Sequence, residues 1–170
     1  GSAFQYSPII AFDILKMIIE QVSKDSFAKL LRKIFDQAKM DQSGILNSNS
    51  ILQNQLIYKR LINGYKEENS KVGKIDKIGE DGLSYNDSWA AGGGLVSTVN
   101  DLIRWNNFLH ESDFLYQGSY TQMVSQSSIR PHPRYGKIGY GFGLQIYEES
   151  TLLEYSHSGY IDGYTATLLY

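Results

Sequence analysis

The sequence contains no cysteine, which excludes disulfides, thiol nucleophiles and thiolate-held metals. Histidine is scarce, with three in the chain. Together with the dispersed carboxylates these show none of the usual metal-ligand spacings, so no metal site and no cofactor is expected. Neither sign of charge prevails. Sixteen Lys and Arg stand against eighteen Asp and Glu, for a net charge of -2, and this gives no electrostatic case for binding nucleic acid or an anionic membrane surface. No apolar run approaches the ~20 residues a membrane span needs. The lack of cysteine fits an extracytoplasmic protein without establishing one, and Gly1-Ser2 reads as an expression scar that hides any signal peptide. What remains is ordinary for a soluble globular domain: 42% hydrophobic and 20% charged residues in a chain long enough for one core and too short for two comfortably. Tyrosine is abundant, at 13 residues. Tyrosines line polar clefts, but they are also common half-buried residues.

Apolar residues Ile10, Ile14, Met17, Ile18 and Val22 recur at helical spacing. After Ser23-Lys24-Asp25 a second helix is predicted, capped by Asp25 or Ser26 and carrying Phe27, Leu30, Leu31, Ile34 and Phe35 on one face. From residue 41 to 86 the pattern dissolves into a long polar stretch, read either as an excursion overhanging a cleft or as a plain surface connection. Order returns at Trp89. Gly92-Gly93-Gly94 leads into Leu95-Val96-Ser97-Thr98, and Thr98 with Asp101 resembles a capping box with Asp in place of Glu. Leu102, Trp105, Phe108 and Leu109 form the face of the helix that follows, and a shorter helix is expected around Ser119 to Val124. The three glycines lack the lysine of a phosphate-binding loop, so tight backbone packing ranks above anion binding. Beyond Pro133 the chain turns to strand material: Tyr140 to Tyr147 alternates, Glu148-Glu149-Ser150 turns, and Leu152 to Ser156 returns as a hairpin. Gly159 to Gly163 is a second turn. The chain stops within the strand that begins at Tyr164, so truncation is expected there.

Three segments, in this order, resemble the serine β-lactamase-like family of class C β-lactamases, D-alanyl-D-alanine carboxypeptidases and related esterases. Tyr6-Ser7-Pro8 with Ile18-Ile19-Glu20 is similar to the family's tyrosine motif and the helix after it. Gly92-Gly93-Gly94-Leu95-Val96-Ser97-Thr98 with Asp101-Leu102 is similar to its Gly-Gly-Leu-x-Ser-Thr-x-x-Asp-Leu stretch. His157-Ser158-Gly159, with Gly163 beyond, resembles its Lys-Thr-Gly or His-Ser-Gly strand. The resemblance implies an α+β fold, with a helical cluster packed on part of an antiparallel sheet, as an incomplete β-lactamase/transpeptidase-like fold. It implies a single partial domain over residues 1–170, with a helical part at about 8–130, antiparallel strands at about 137–170 and the long loop at 41–86. Localisation outside the cytoplasm is suspected on the same ground.

The chemistry the resemblance implies is attack by a serine on an acyl compound, an acyl-enzyme, and release to water. Tyr6 matches the tyrosine that shuttles the proton. A free phenol titrates near pH ~10, so this role calls for a nearby cation. The family's lysine would supply it, with His157 able to contribute. His157 takes the place of the lysine of Lys-Thr-Gly and would orient the substrate or the tyrosine. Ser158 would hydrogen-bond the substrate, and the backbone N–H of Tyr160, just after Gly159, maps to one of the two oxyanion donors. His110 and His132 fit no motif. Pro8 stands where the commonest form of the tyrosine motif has asparagine. That departure lowers the β-lactamase reading and raises the esterase or peptidase one.

The family's Ser-x-x-Lys nucleophile lies well upstream of the tyrosine motif, and five residues precede Tyr6 here. The chain's one Ser-x-x-Lys, Ser26-Phe27-Ala28-Lys29, falls on the second helix and is read as a decoy. The expectation is therefore the C-terminal part of a serine hydrolase for a peptide, ester or β-lactam, inactive by itself. The alternative is a non-catalytic member that keeps the fold for binding or sensing. Partners expected are a small-molecule or peptide substrate and, since the family's N-terminal strands would be missing, a second copy covering an exposed sheet edge.

Overall fold

The structure, a computed structural model, describes residues 5–7, 10–45, 60–75, 91–161 and 163–170. The described residues form two compact units. One holds Gln5, Tyr6, Asn106–Gly159 and Thr165–Tyr170; the other holds the rest of the chain up to Trp105 together with the hairpin residues between Tyr160 and Tyr164. Pro8 and the whole of the stretches 46–59 and 76–90, Trp89 included, lie outside the described residues.

The second unit opens with the two predicted helices, α1 at Ile10–Ser23 and α2 at Phe27–Gln37. Lys24 and Lys39 take positive φ angles of 59° and 58° after their last turns, the left-handed position at which a helix commonly stops. Ser26 is the N-cap of α2, its Oγ accepting from the Lys29 backbone N–H at 3.3 Å. The Glu20 carboxylate of α1 accepts from the Phe27 N–H at 2.7 Å, which ties the start of α2 to the helix before it. Phe35, Ala38 and Met40 are buried. By contrast α1 buries none of its side chains, and Ile10, Ile14, Ile18 and Val22 are all exposed.

The stretch from 41 to 86, expected to lack pattern, contains ordered strands. β1 at Gly44–Ile45 pairs with β4 at Leu95–Val96, Gly44 opposite Val96. β2 at Gly64–Glu68 and β3 at Lys71–Ile75 form a hairpin closed by Asn69 and Ser70. Both turn residues have positive φ, 51° and 60°, the conformation of the two-residue turn whose twist matches a hairpin. The Tyr164 O–H donates to the Ile62 carbonyl at 2.7 Å, holding the segment before β2.

Asp101 is the polar centre of this unit. It sits in the first turn of α3, Val99–Glu111, and is fully buried. Half of the expected capping box is present, with the Asp101 N–H donating to Thr98 Oγ1 at 3.2 Å. The carboxylate goes elsewhere. It accepts from Ser43 Oγ at 2.7 Å, from the Gln42 backbone N–H at 2.8 Å and from Arg104 at 2.6 Å. Burial pushes its pKa up, but these three donors outweigh burial and hold it below the usual carboxylate value. Ser43 is also within 2.7 Å of the Ser97 hydroxyl, so the α2–β1 connection and the Ser-Thr segment converge on one carboxylate.

The first unit is built on a five-stranded antiparallel sheet in the order β5-β6-β7-β8-β9: Ser128–His132, Gly136–Tyr140, Gln145–Glu149, Leu152–Ile161 and Tyr164–Leu169. Three details depart from the sequence expectation, the first being that β8 runs on as strand through Gly159 to Ile161, within the expected second turn. The alternating run from Tyr140 to Tyr147 is not one strand but the end of β6, a turn and the start of β7. Gly143 has φ +80°, and a Cβ on Gly141 would lie 2.2 Å from the Met123 carbonyl oxygen, so this alternation of large and small residues is a turn that only glycine permits. Strand structure also begins earlier than residue 137, with β5. Pro131 sits within it, tolerated because β5 is an edge strand of the described sheet. Tyr155 and Tyr170 exchange N–H···O bonds at 3.0 and 2.9 Å, which pins β9 to β8.

The core of this unit is Leu109 of α3 with Ile138, Tyr140 and Ile146 of the sheet. Ile146 is 2% exposed, and burying such a side chain contributes roughly 1.5–3 kcal/mol. The short helix α4, Gln117–Met123, precedes β5. His110, near the end of α3, stacks with Tyr170 at 4.1 Å and with Tyr155 at 5.6 Å, and its Nδ1 lies 2.9 Å from the Tyr120 hydroxyl.

Candidate active site

Tyr6 and His157, distant in sequence, come together in the sheet-bearing unit. Their ring centroids are 5.8 Å apart. Tyr140, at the end of β6, completes the cluster. Its centroid lies 6.1 Å from each of the two rings, and its hydroxyl is 3.0 Å from His157 Nε2. His157 is on β8, followed directly by Ser158, Gly159 and Tyr160. These three are exposed, Tyr160 at 74%, and a Cβ added to Gly159 would meet nothing within 4 Å. The strand therefore offers its open side just beyond the histidine.

The electrostatics of the cluster follow from partial burial beside one cation. Burial pushes the Tyr140 hydroxyl up to about 12, with the neighbouring Tyr6 adding to the rise and Arg130 opposing it. Burial also raises Tyr6, again against Arg130. The same burial lowers His157; a hydrogen bond with the Ser158 backbone pulls upward, and Arg130 pulls further down. At neutral pH the cluster thus consists of two phenols and an uncharged imidazole. A neutral phenol can donate or accept, so the direction of the Tyr140–His157 bond is set by which ring nitrogen of His157 carries the proton. The one cation acting on Tyr6 here is Arg130, which is not the lysine that the resemblance implies and which no motif indicated. Tyr140 was visible in sequence as a strand residue and nothing more.

Ser26 and Lys29, the one Ser-x-x-Lys, are engaged in other roles. Ser26 Oγ caps α2, and Lys29 Nζ is ion-paired with Asp25, which also holds Lys33 at 2.8 Å. Two surface clefts, of about 490 and 260 Å³, lie in the other unit, along the β2–β3 hairpin and between Asp41, Arg60 and Thr98. The second is walled in part by Val96, Ser97 and Thr98 of the Gly-Gly-Leu-x-Ser-Thr segment, but neither contains Tyr6 or the His157-Ser158-Gly159 strand, and the chemistry argues for the open side of β8 instead. Among the described residues no group of three or more His, Asp or Glu is placed to hold a metal ion, and no helix is long and apolar enough to cross a membrane.

The sequence model of the Beta-lactamase family matches residues 1–170, the whole chain. The chain belongs to the Beta-lactamase family. Solved structures agree on the fold. The octameric penicillin-binding protein homologue from Pyrococcus abyssi is similar over 100% of this chain and 36% of its own, at 25% identity and a TM-score of 0.80. A D-stereospecific amidohydrolase from Streptomyces sp. is similar over 99% of this chain and 47% of its own, at 20% identity and a TM-score of 0.74. D-amino acid amidase from Ochrobactrum anthropi SV3, in complex with D-phenylalanine, is similar over 96% and 46%, at 22% identity and a TM-score of 0.67. The chain thus spans less than half the length of each of these structures. No curated protein sequence matches it. The family assignment and the mixed α+β architecture, with antiparallel sheets beside helices, agree with the sequence expectation.

Proposed function

We propose that this chain is the C-terminal part of a serine hydrolase that acts through an acyl-enzyme on a peptide, ester or β-lactam, with the nucleophile on a segment outside these 170 residues. The observation that carries the reading is the convergence of Tyr6 and His157, from the first and last motifs, to a ring separation of 5.8 Å in a Beta-lactamase family chain. The occupied roles of Ser26 and Lys29 support placing the nucleophile elsewhere.

In this reading the serine oxygen bonds to the substrate carbonyl carbon, and the bond to the leaving amine or alcohol breaks. The serine proton reaches the leaving group by way of Tyr6. Burial keeps Tyr6 a neutral phenol in this chain, so it rests as a proton donor and becomes an acceptor only when the nucleophile segment brings its own cation. His157, fixed by Tyr140, orients Tyr6. Ser158 takes a substrate hydrogen bond, and the Tyr160 backbone N–H serves the oxyanion. Amide substrates of D configuration are a reasonable first panel, because an amidohydrolase and an amidase of that stereospecificity share the fold. Self-association is part of the proposal: the apolar side of α1 is exposed, and the octameric homologue shares this fold.

A second reading, a non-catalytic binding member, is favoured by one observation, the upward shift of both phenols. Labelling with a serine-reactive fluorophosphonate separates the two. The hydrolase reading expects no adduct on this chain and a stoichiometric adduct on an upstream Ser-x-x-Lys serine when the protein carries that segment. An adduct on Ser26 would overturn it, and so would a folded longer form that takes no label.

A further inference from the structure

The smaller of the two surface clefts, about 260 Å³, is built around the buried carboxylate of Asp101. Gln42 lines it, and the Gln42 backbone N–H donates to Asp101 at 2.8 Å. On the opposite strand side, Thr98 Oγ1 accepts from the Asp101 N–H at 3.2 Å. Ser97 reaches Asp101 through Ser43, and Asp41 reaches it through Arg104. These four wall residues are thus one or two contacts from a single saturated anchor, the kind of support that holds a binding site in a fixed geometry. Arg60 joins them by donating to the Gln42 side-chain oxygen.

What the walls leave unused has a pattern. Among the described residues Arg60 makes no ion pair, so most of its guanidinium fork is open to a ligand. Asp41 is 75% exposed and meets Arg104 at 3.5 Å, a long surface pair that leaves its carboxylate acceptor capacity. Ser97 is an acceptor as well. The one proton of Ser43 goes to the Asp101 carboxylate at 2.7 Å, so the 2.7 Å bond between the two hydroxyls is donated by Ser97, and the Ser97 lone pairs remain. A cation and an anion therefore line one small cleft without pairing with each other, beside the apolar side chains of Leu61, Ile62 and Val96. Ile62 is fixed there by its carbonyl, which accepts from the Tyr164 O–H at 2.7 Å.

We propose that this cleft binds a small free amino acid with an apolar side chain: its carboxylate accepts from Arg60, its ammonium donates to Asp41 and to Ser97 Oγ, and its side chain lies on Leu61, Ile62 and Val96. The volume is just below the ~300–1,000 Å³ of drug-sized ligand pockets, which suits a single amino acid and excludes a peptide of any length. The inference does not depend on the hydrolase reading, and it shares no residue with the Tyr6–Tyr140–His157 cluster.

The test reads binding to the unaltered chain. Leucine, N-acetyl-leucine (carboxylate kept, ammonium lost) and leucinamide (ammonium kept, carboxylate lost) are titrated into the ¹⁵N-labelled 170-residue chain. Leucine is expected to move the backbone amide signals of Gln42, Ser97 and Thr98. Each analogue should bind on the order of 10- to 100-fold more weakly, the worth of hydrogen bonds to a charged group. Arg60→Gln should weaken leucine to the same extent and leave leucinamide unchanged, while Asp41→Asn should weaken leucine and leave N-acetyl-leucine unchanged. Both side chains are exposed, so neither substitution disturbs the core. Amide signals unmoved by millimolar leucine would overturn the proposal, and so would equal affinity for leucine and the two analogues. Because that comparison needs no variant, a misfolded one leaves the test intact.

Discussion

The carboxylate of Asp101 and the imidazole of His157 are both sequestered polar groups, and they have opposite surroundings. Asp101 accepts from Ser43, the Gln42 backbone and Arg104, so a fully buried charge has every strong donor it needs. His157 has Tyr140 on one nitrogen, Tyr6 beside its ring, and an exposed strand continuing past it. Arg130 nearby has a shielded N–H with no acceptor. A saturated network is a fastening, and its value is stability. A network with unused capacity costs stability, and that cost makes sense where a ligand completes it. Both Asp101 and His157 lie in motifs of the same family, yet one motif builds the scaffold and the other borders open surface.

The sharpest way to break the comparison is to remove the acceptor of the saturated network. Asp101→Ala leaves the Gln42 N–H without its acceptor, Ser43 with Ser97 alone and Arg104 with Asp41 at 3.5 Å, and losing hydrogen bonds to a charged group costs about 1.5–3 kcal/mol. Urea unfolding of the chain should show a loss of that size. Its pH dependence has a definite sign. The folded-state pKa of Asp101 is lowered, so its contribution is complete above the unfolded carboxyl value of ~3.9 and is lost as pH falls through the folded value. The wild type should weaken on that acid limb, and Asp101→Ala should lack this part of the slope. A loss below ~1 kcal/mol would mean that the carboxylate is not the fastening described.

Tyr6→Phe is the counterpart in the open network. It removes one hydroxyl from a residue that is 40% exposed, so stability should change by less than ~1 kcal/mol. Acyl transfer by the protein carrying its nucleophile should nevertheless fall by about 10²-fold or more, the scale of a lost proton-transfer group. An unchanged rate, measured on an activated ester, would favour the binding reading.

How much of this was legible in the sequence depended on which physical signal a residue emits. The helices were readable because Ile10, Ile14, Ile18 and Val22 recur with the helical period, and Ser26 announces its cap. Tyr6 and His157 were readable by motif alone; no periodicity marks either. The Tyr140–Tyr147 segment misled because glycines at alternate positions imitate strand alternation, while Gly141 and Gly143 are there for a tight turn. β5 was hidden by Pro131, which argues against a strand until the strand is known to lie at an edge. The β2–β3 hairpin left a faint trace in Asn69-Ser70, masked by a polar stretch with no apolar alternation. Arg130 and Tyr140 were out of reach, since their place beside His157 depends on strand register, which no local pattern encodes. Asp101 was seen as half of a cap, and its partners Ser43 and Gln42 lie some 58 residues away.

Tyr140→Phe probes the link between scaffold and site. It deletes the 3.0 Å bond to His157 Nε2 and keeps the ring. Losing that partner frees the imidazole to change tautomer and costs on the order of 1 kcal/mol. The expected readout is a shift of the His157 ring nitrogens by NMR, with a rate loss near tenfold. A rate loss with no change in the nitrogen signals would mean that Tyr140 acts on substrate directly and not through His157.

The smallest effect belongs to His110, which resembles His157 in composition and Asp101 in completeness. It too has a tyrosine hydroxyl on one nitrogen, but its ring stacks with those of Tyr155 and Tyr170. Burial lowers its pKa, with Glu111 opposing. Its contribution to stability is therefore complete above the unfolded value of ~6.5 and declines as pH falls towards the folded value, because the unfolded chain takes up the proton first. His110→Phe keeps the stack and removes the titration. Stability at pH 8 should drop by about 1 kcal/mol for the lost Tyr120 bond, and the gap to wild type should narrow on acidification through the histidine range. If the gap instead widens, the imidazole is held charged in the fold, and its stack with two tyrosines is not what distinguishes it from His157.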